Sequence, residues 1–571
     1  MVFLELFWQP KRLRRHSQPK RLYRIMKTKL ILLGIILLTA LLHVVKVKSL
    51  PVCLNADEAA FGYNAYSLLK TGKDEYGVML PLRLKSFGDY KLPLYSYLSV
   101  PFIGAMGLTE TSTRALAMLI GILFPLAVYF LTKELFEDDR TSLLAAFLTG
   151  VSPWIQITAR HAHEAPLAVF LLVISATFLL KFLKNNENKY VYWFAATSFI
   201  SLFAYHLSRP IVAGMVVFLS VTILLKHKHP DPSTLRLAHA RSGLRMTIAL
   251  IVVAALPLIL FSFTDVLYNP TRLKNLIFFN DGGFKLSIKQ KLIEKDLPIL
   301  YNPVTQAALD LPHEYIKYFS PEFLVIHGDT NYRFGHPGIS LITLAEYALV
   351  FVGIYFLIKK RPKNAPFLLF LLLIAPVAAS LSFFEYSATR SIFMVIPLLI
   401  IASYGAILLV NSFTRRYSVW AAIFLFVAFG FFNYMTWDFY FFHYPYRAVT
   451  VRSWQCGYKE LAQYVDANYD KFEKFNITTR NGEPYIFMLF YSKYPPELYQ
   501  KQATLSPPDE YGFGQVWKFD KYDFQFNVDH PKQGISYVGY PEHFNNKDNI
   551  DMSKIQKITA GTEEMFYIYE E

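Results

Sequence analysis

Long apolar runs punctuated by short polar stretches organise the first three quarters of this chain. The runs fall at residues 30–45, 113–132, 142–158, 165–183, 190–206, 209–225, 244–263, 340–358, 364–382, 391–410 and 418–437. A run of about 20 apolar residues, rising about 1.5 Å per residue, crosses a bilayer core as a helix, the form that satisfies its backbone within lipid. The pattern therefore predicts eleven transmembrane helices, with only a few residues between 190–206 and 209–225. From residue 438 the pattern changes. Tyr, Phe, Asp and Lys mix, and no spanning run follows. Gly457–Tyr469 has the spacing of an amphipathic helix, while Phe475–Thr479, Gln515–Phe519 and Ile535–Gly539 read as short strands. The expected fold class is an all-α polytopic membrane protein with a small α/β C-terminal domain.

Composition agrees with that class. Of the 571 residues 53% are hydrophobic and 18% charged, against about 25% charged in an ordinary soluble domain. Two cysteines are too few for a disulfide scaffold or a cysteine-rich zinc framework. The net charge of +15 raises nucleic acid as a partner, and the placement of the charge answers it. Lys11, Arg12, Arg14, Arg15, Lys20, Arg21 and Arg24 precede the first run, and no small-x-small cleavage site follows it. That run is read as a retained span, with a basic cytoplasmic N-terminus over 1–29. Every second loop must then be cytoplasmic. Those loops hold Lys181, Lys184 and Lys189, then Lys226 to Arg245, then Lys359 to Lys363, then Arg415 and Arg416. The 133–141 loop alone is mixed. This is the positive-inside pattern, and anionic membrane lipid explains the basic excess without nucleic acid. It puts residues 46–112, 264–339 and 438–571 on the outer side. A membrane domain over 30–437 and an extracytoplasmic domain over 438–571 are expected, in an integral multi-pass protein of the cell membrane. Cys53 and Cys456 both fall outside, and a disulfide or two separate thiols both fit.

The chemistry-bearing residues cluster on that outer side. The first outer loop reads Asn55-Ala56-Asp57-Glu58-Ala59, then Phe87-Gly88-Asp89-Tyr90-Lys91-Leu92-Pro93-Leu94-Tyr95. Further along stand Ser152-Pro153-Trp154, Arg160-His161-Ala162-His163-Glu164, Tyr205-His206-Leu207-Ser208-Arg209-Pro210, Gly328-Asp329-Thr330-Asn331 and His336-Pro337-Gly338. In this order the motifs resemble the GT-C glycosyltransferases, and within them glycosyltransferase family 39, which includes the protein O-mannosyltransferases and the lipid A aminoarabinose transferase. The resemblance covers most of residues 50–400. It implies transfer of a monosaccharide from a polyprenyl-phosphate donor to an acceptor hydroxyl of a protein, lipid or cell-surface glycan. A sugar on lipid phosphate already carries a good leaving group. A single inverting displacement then needs one carboxylate as base and cations for the departing phosphate, unlike the carboxylate pair of glycoside hydrolysis.

By this resemblance Asp57 is the base with Glu58 in support, and Lys91 is the phosphate-binding cation. Arg333, His336 and Arg390 are the further donor-binding candidates, because a guanidinium grips phosphate with two donors. Asp89, Tyr90, Arg160, His161, Glu164, His206 and Arg209 are candidates for the sugar or acceptor pocket. On a continuous helix Arg160, His161 and Glu164 would share one side. Each has a plainer reading. Asn55 and Glu58 are spaced as a capping box, Lys91 can snorkel at the membrane surface, and Arg390 can anchor a helix end beside Glu385. The family often places an acid directly before the lysine, a metal ligand in the aminoarabinose transferases. Tyr90 stands there, so a divalent metal is left open and no other cofactor is implied. A transporter or flippase for lipid-linked sugars is the alternative reading. It expects ionisable residues at mid-membrane, whereas the polar motifs lie at outer span ends.

Overall fold

The computed structural model describes residues 18–228, 251–264, 282–294, 302–507, 514 and 516–571, apart from 88, 336–338, 383–385, 481 and 546–549. Helix occupies each apolar run wherever it is described. The helices are Gln18–Val44, Glu110–Phe136, Asp139–Val151, Glu164–Asn185, Lys189–Leu202, Ser208–Lys228, Ile251–Thr264, Leu344–Lys360, Ala365–Ile374, Val395–Ser412 and Arg415–Asp438. Among the described residues six helices are long and apolar enough to cross a membrane, which makes this an integral membrane protein. Others are shorter or broken. The 142–158 run is split at Ser152, where Pro153 opens a separate Pro153–Thr158 helix, because proline cannot donate its backbone N–H to the preceding turn.

The Val395–Ser412 helix is the centre of the bundle, buried along most of its length. It crosses Leu344–Lys360 where Gly353 and Gly405 face each other. A Cβ on Gly353 would lie 2.1 Å from the Ile401 carbonyl oxygen, and one on Gly405 2.6 Å from the Gly353 nitrogen. Only glycine permits that approach. The first helix lies at the rim, with most of its apolar surface left for lipid.

The expected first outer loop, residues 46–112, holds more structure than its polarity suggests. It forms the helix Ala56–Thr71, the antiparallel pair β1 (Leu84–Ser86) and β2 (Asp89–Lys91), and the helix Leu94–Met106. The C-terminal domain carries the expected helix, at Tyr458–Ala467, and the three expected strands: β3 (Lys474–Ile477), β5 (Val516–Phe519) and β7 (Ile535–Gly539). Four more complete the sheet: β4 (Thr504–Leu505), β6 (Tyr522–Asp523), β8 (Gln556–Ala560) and β9 (Glu563–Glu570). The order is β4-β5-β6-β3-β7-β9-β8, with β3 parallel to both of its neighbours.

This domain and the first outer loop share one apolar core, in which Ala59, Ala60 and Tyr63 pack with Phe487, Phe490 and Tyr499. Gly62 marks the tightest point. A Cβ there would meet Thr113 Oγ1 at 2.5 Å and Phe490 Cε2 at 2.6 Å, so the Ala56–Thr71 helix is clasped between bundle and C-terminal domain. Cys53 and Cys456 are joined as a disulfide across the same junction, their Cα atoms 5.4 Å apart.

Candidate active site

The site begins at the N-terminus of the Ala56–Thr71 helix. Asn55 is its N-cap, accepting from the backbone N–H groups of Asp57 and Glu58, and Glu58 closes the capping box by accepting from the Asn55 N–H at 3.3 Å. Glu58 does more than cap. Its carboxylate is fully buried and accepts from Arg114 Nε and Nη2, each at 2.8 Å, and from the Ala162 N–H at 2.7 Å. Arg114 also donates to the carbonyls of Pro51 (3.2 Å) and Cys53 (2.6 Å). Glu58 is thereby occupied in tying three segments together. Its neighbour Asp57, one residue earlier on the helix, points to the other side with 49% of its side chain exposed.

Lys91 reaches Asp57 from β2, its Nζ donating to Asp57 Oδ1 at 2.6 Å. The lysine is only 7% exposed and does not snorkel. Its ammonium lies 4.4 Å from the centre of the Phe87 ring and 5.0 Å from that of Phe61, faces that attract a cation through their quadrupole. Tyr90 precedes it, partly exposed, and Asp89 opposes Ser86 in the strand register.

Residues 160–163 form a turn, not the continuous helix expected of them, because His163 caps the next helix, its Nδ1 accepting from the Ala165 N–H at 3.0 Å. The side chains therefore diverge. Arg160 turns back to the end of the first helix and donates to the carbonyls of Leu42, His43, Val45 and Leu50. Glu164 opens the Glu164–Asn185 helix. His161 is buried and His163 partly buried, their rings 5.7 Å apart and each about 5 Å from Phe334 (5.2 and 5.4 Å). Burial is the main cause that pushes both imidazoles down to about 3; Arg114 and Arg333 add to it at His161, and His161, Arg333 and Lys91 at His163. Asp57 acts on both in the opposite sense. The two imidazoles are thus neutral and within electrostatic reach of Asp57 and Arg333. Among the described residues the ring nitrogens of His161 have no hydrogen-bond partner of ordinary geometry, the Ile157 backbone exerting only a weaker pull toward protonation.

Arg333 lines a small cleft with Trp154, Phe334, Leu341 and Tyr444. Behind it, Asp329 accepts from the N–H groups of Ala388 (2.6 Å) and Asn331 (2.8 Å), which ties the 327–335 loop to the turn that carries Arg390. Burial raises the Asp329 carboxyl to about 6, opposed by these hydrogen bonds and by Arg390 and Arg333. Asp57 and Lys91 are bonded to each other, both histidines feel the charges of Asp57 and Arg333, and Asp329 feels both Arg333 and Arg390. His206 and Arg209 sit further round, Arg209 over the Phe261 ring at 5.0 Å and Tyr205 against His163 at 5.5 Å. His336 and Glu385 lie outside the described residues. Among the described residues no three His, Cys, Asp or Glu side chains are grouped as a metal site.

His163 and Asp329 stand in the sequence motifs without an assigned role, and Arg114, Phe61 and Phe87 join the site only through the fold. Only Arg114 carried a usable signal: an arginine at the head of a spanning helix demands a partner, and Glu58 is that partner.

Fold and arrangement are those of a polytopic helical membrane protein with a β-sheet domain at its C-terminal end. Residues 91–262 match the family described as dolichyl-phosphate-mannose-protein mannosyltransferase. ArnT from Cupriavidus metallidurans bound to undecaprenyl phosphate is similar over 94% of this chain and 98% of that one, with a TM-score of 0.52 and 10% identity. The same protein in its apo state gives 0.50 at 11% identity, over 90% and 93%. The oligosaccharyltransferase of Archaeoglobus fulgidus in complex with Zn and sulfate gives 0.47 at 14% identity, over 81% of this chain and 61% of that one. The chain therefore spans less than two thirds of the archaeal protein's length. No curated protein matches the chain.

Proposed function

We propose that this protein is a glycosyltransferase that moves a monosaccharide from a polyprenyl-phosphate carrier to an acceptor hydroxyl on the outer membrane face. Residues 30–437 form its membrane domain and 438–571 its extracytoplasmic domain, with the N-terminus in the cytoplasm. The carrying observation is the Asp57–Lys91 pair: a half-exposed carboxylate bonded to a buried, aromatic-walled ammonium. Asp57 takes the proton of the acceptor hydroxyl as the acceptor oxygen bonds to the anomeric carbon. The bond from that carbon to the phosphate oxygen breaks on the opposite face, inverting the centre. Lys91 has three N–H donors, so it can hold Asp57 with one and meet phosphate with another, while Arg333 and Arg390 supply further positive charge. His161, neutral and with ring nitrogens that lack a partner of ordinary geometry among the described residues, suits a hydroxyl-rich ligand. The match over 91–262 and the fold shared with a protein that binds undecaprenyl phosphate support the carrier class.

The test is product formation from radiolabelled polyprenyl-phosphate sugars by the purified protein in nanodiscs, against protein, lipid and glycan acceptors. Transfer that Asp57→Asn abolishes is the expected result. Movement of the labelled lipid across proteoliposomes without any new glycosidic bond would instead establish the flippase.

A further inference from the structure

Phe87, at the turn between β1 and β2, has φ 57. A bulky L-residue adopts the left-handed region only where its surroundings over-determine it. Here the surroundings belong to the C-terminal domain. The Phe87 carbonyl accepts from the Gly514 N–H at 3.1 Å, and its N–H points to the Tyr485 hydroxyl at 3.5 Å. The two rings meet edge to face with centroids 6.1 Å apart. Tyr485 is itself fixed. It is 1% exposed, donates its hydroxyl hydrogen to Glu75 Oε1 at 3.0 Å, and stacks on Tyr499. Glu75 is fully buried in the first outer loop, and its other oxygen accepts from the Asn64 amide at 3.0 Å. On the far side of the turn the Phe87 ring is one wall of the Lys91 ammonium site, 4.4 Å away. One continuous path therefore runs from the outer domain's Tyr485 through Phe87 to Lys91 and Asp57.

We infer that the C-terminal domain completes the active site from behind: Tyr485 holds the Phe87 turn, and the Phe87 ring holds the Lys91 ammonium against Asp57. Tyr485 and Phe87 are then positioning residues for the transfer, and the outer domain is part of the machinery for lipid-phosphate departure. The inference rests on the proposed function for its catalytic consequence and on geometry alone for its structural one.

The experiment uses the full chain in nanodiscs, with Tyr485→Phe, which removes one oxygen, and Phe87→Leu, which removes the ring face and keeps apolar bulk. Acylation of Lys91 is followed by mass spectrometry against Lys459, whose side chain is 53% exposed, and transfer kinetics are measured in parallel. Both variants should acylate Lys91 several-fold faster than the parent protein. Both should lose about tenfold in kcat with KM for the polyprenyl-phosphate sugar unchanged, the signature of a misplaced group and not of lost donor binding. If Tyr485→Phe does not fold, Phe87→Leu supplies the same two readouts. Unchanged Lys91 acylation in a folded variant overturns the inference whatever the activity. Faster acylation in a protein whose parent form transfers no sugar sustains the positioning path and removes the glycosyltransferase reading instead.

Discussion

Asp57 and Glu58 are adjacent in sequence and opposite in circumstance. Glu58 is sealed inside against Arg114 by two 2.8 Å hydrogen bonds, while Asp57 keeps half of its side chain in the open beside Lys91. The capping turn made by Asn55 sends the two carboxylates to different faces, so they carry different expectations.

Asp57→Asn should leave the protein folded and stop transfer. The asparagine keeps an amide oxygen that can accept from the buried Lys91 ammonium, so the fold should survive, whereas losing a general base costs about 10²–10⁴ in rate. Unfolding midpoints close to the parent protein's, with turnover lowered by that factor, are the expected pair of measurements. Full turnover in the variant would remove Asp57 from the mechanism.

Glu58→Gln should do the reverse and act on stability. It strips the counter-charge from a buried guanidinium, and breaking one side of a buried pair costs about 3–5 kcal/mol. Replacing Glu58 and Arg114 together by methionine should cost less than the sum of the single changes. Denaturant unfolding of the four proteins in detergent reads the coupling, and strict additivity would argue against it.

Lys91→Arg keeps the charge and should still fail. The space between the Phe61 and Phe87 rings fits an ammonium, and a planar guanidinium there would shift away from Asp57. A loss of about 10- to 100-fold in kcat is expected. Activity equal to the parent protein's would mean that position 91 needs only a positive charge.

Reducing the Cys53–Cys456 bond, or replacing both residues by serine, should loosen the junction between the first outer loop and the outer domain. A native disulfide of this kind typically contributes about 2–5 kcal/mol. The bond is checked by thiol labelling before and after reductant, and its effect by the unfolding midpoint.

Stability should depend on pH through Glu75. Burial raises its carboxyl from 4.5 to about 8, opposed by the Tyr485 hydrogen bond and Lys91. A raised carboxyl favours the folded state while protonated. Its contribution is complete below the ordinary value of 4.5 and is lost as pH rises through about 8. His161 and His163 have the opposite sign. Depressed from 6.5 to about 3, they favour the folded state above 6.5, and that contribution is lost as pH falls toward 3. Unfolding midpoints measured from about pH 5 to about pH 9 should fall between about pH 6.5 and about pH 8 and level off above, and Glu75→Gln should flatten that limb. An unchanged limb would show that Glu75 is ionised throughout.

Much of the architecture was legible because lipid imposes a one-dimensional rule. A backbone crossing hydrocarbon must satisfy itself locally, so each span is written in a contiguous run, and the strands β3, β5 and β7 were visible by the same local logic. The rule weakens where structure depends on contacts between segments. The helix at Ala56–Thr71 owes its burial to Phe490 and Thr113, which lie far away in sequence. β4 and β6, two residues each, exist only by pairing with β5 and β3. The helical reading of 160–164 failed because His163 is used as a cap, a choice that composition does not announce.

The candidate site divides along the same line. By itself the sequence determined the apolar runs of the membrane architecture, the charged loop after the first of them and the charged residues at its motifs, since periodicity and residue type are local properties. Only the tertiary structure decided which of those charges meet. It paired Asp57 with Lys91 and Glu58 with Arg114, spent Arg160 on the end of the first helix, and enclosed Lys91 between two phenylalanines held in part by the outer domain. The reason is physical: the environment of a charge is set by burial and by partners on other segments of the chain, 34 residues away for Asp57 and Lys91 and 398 for the Phe87–Tyr485 contact, and neither is encoded at the residue that bears it.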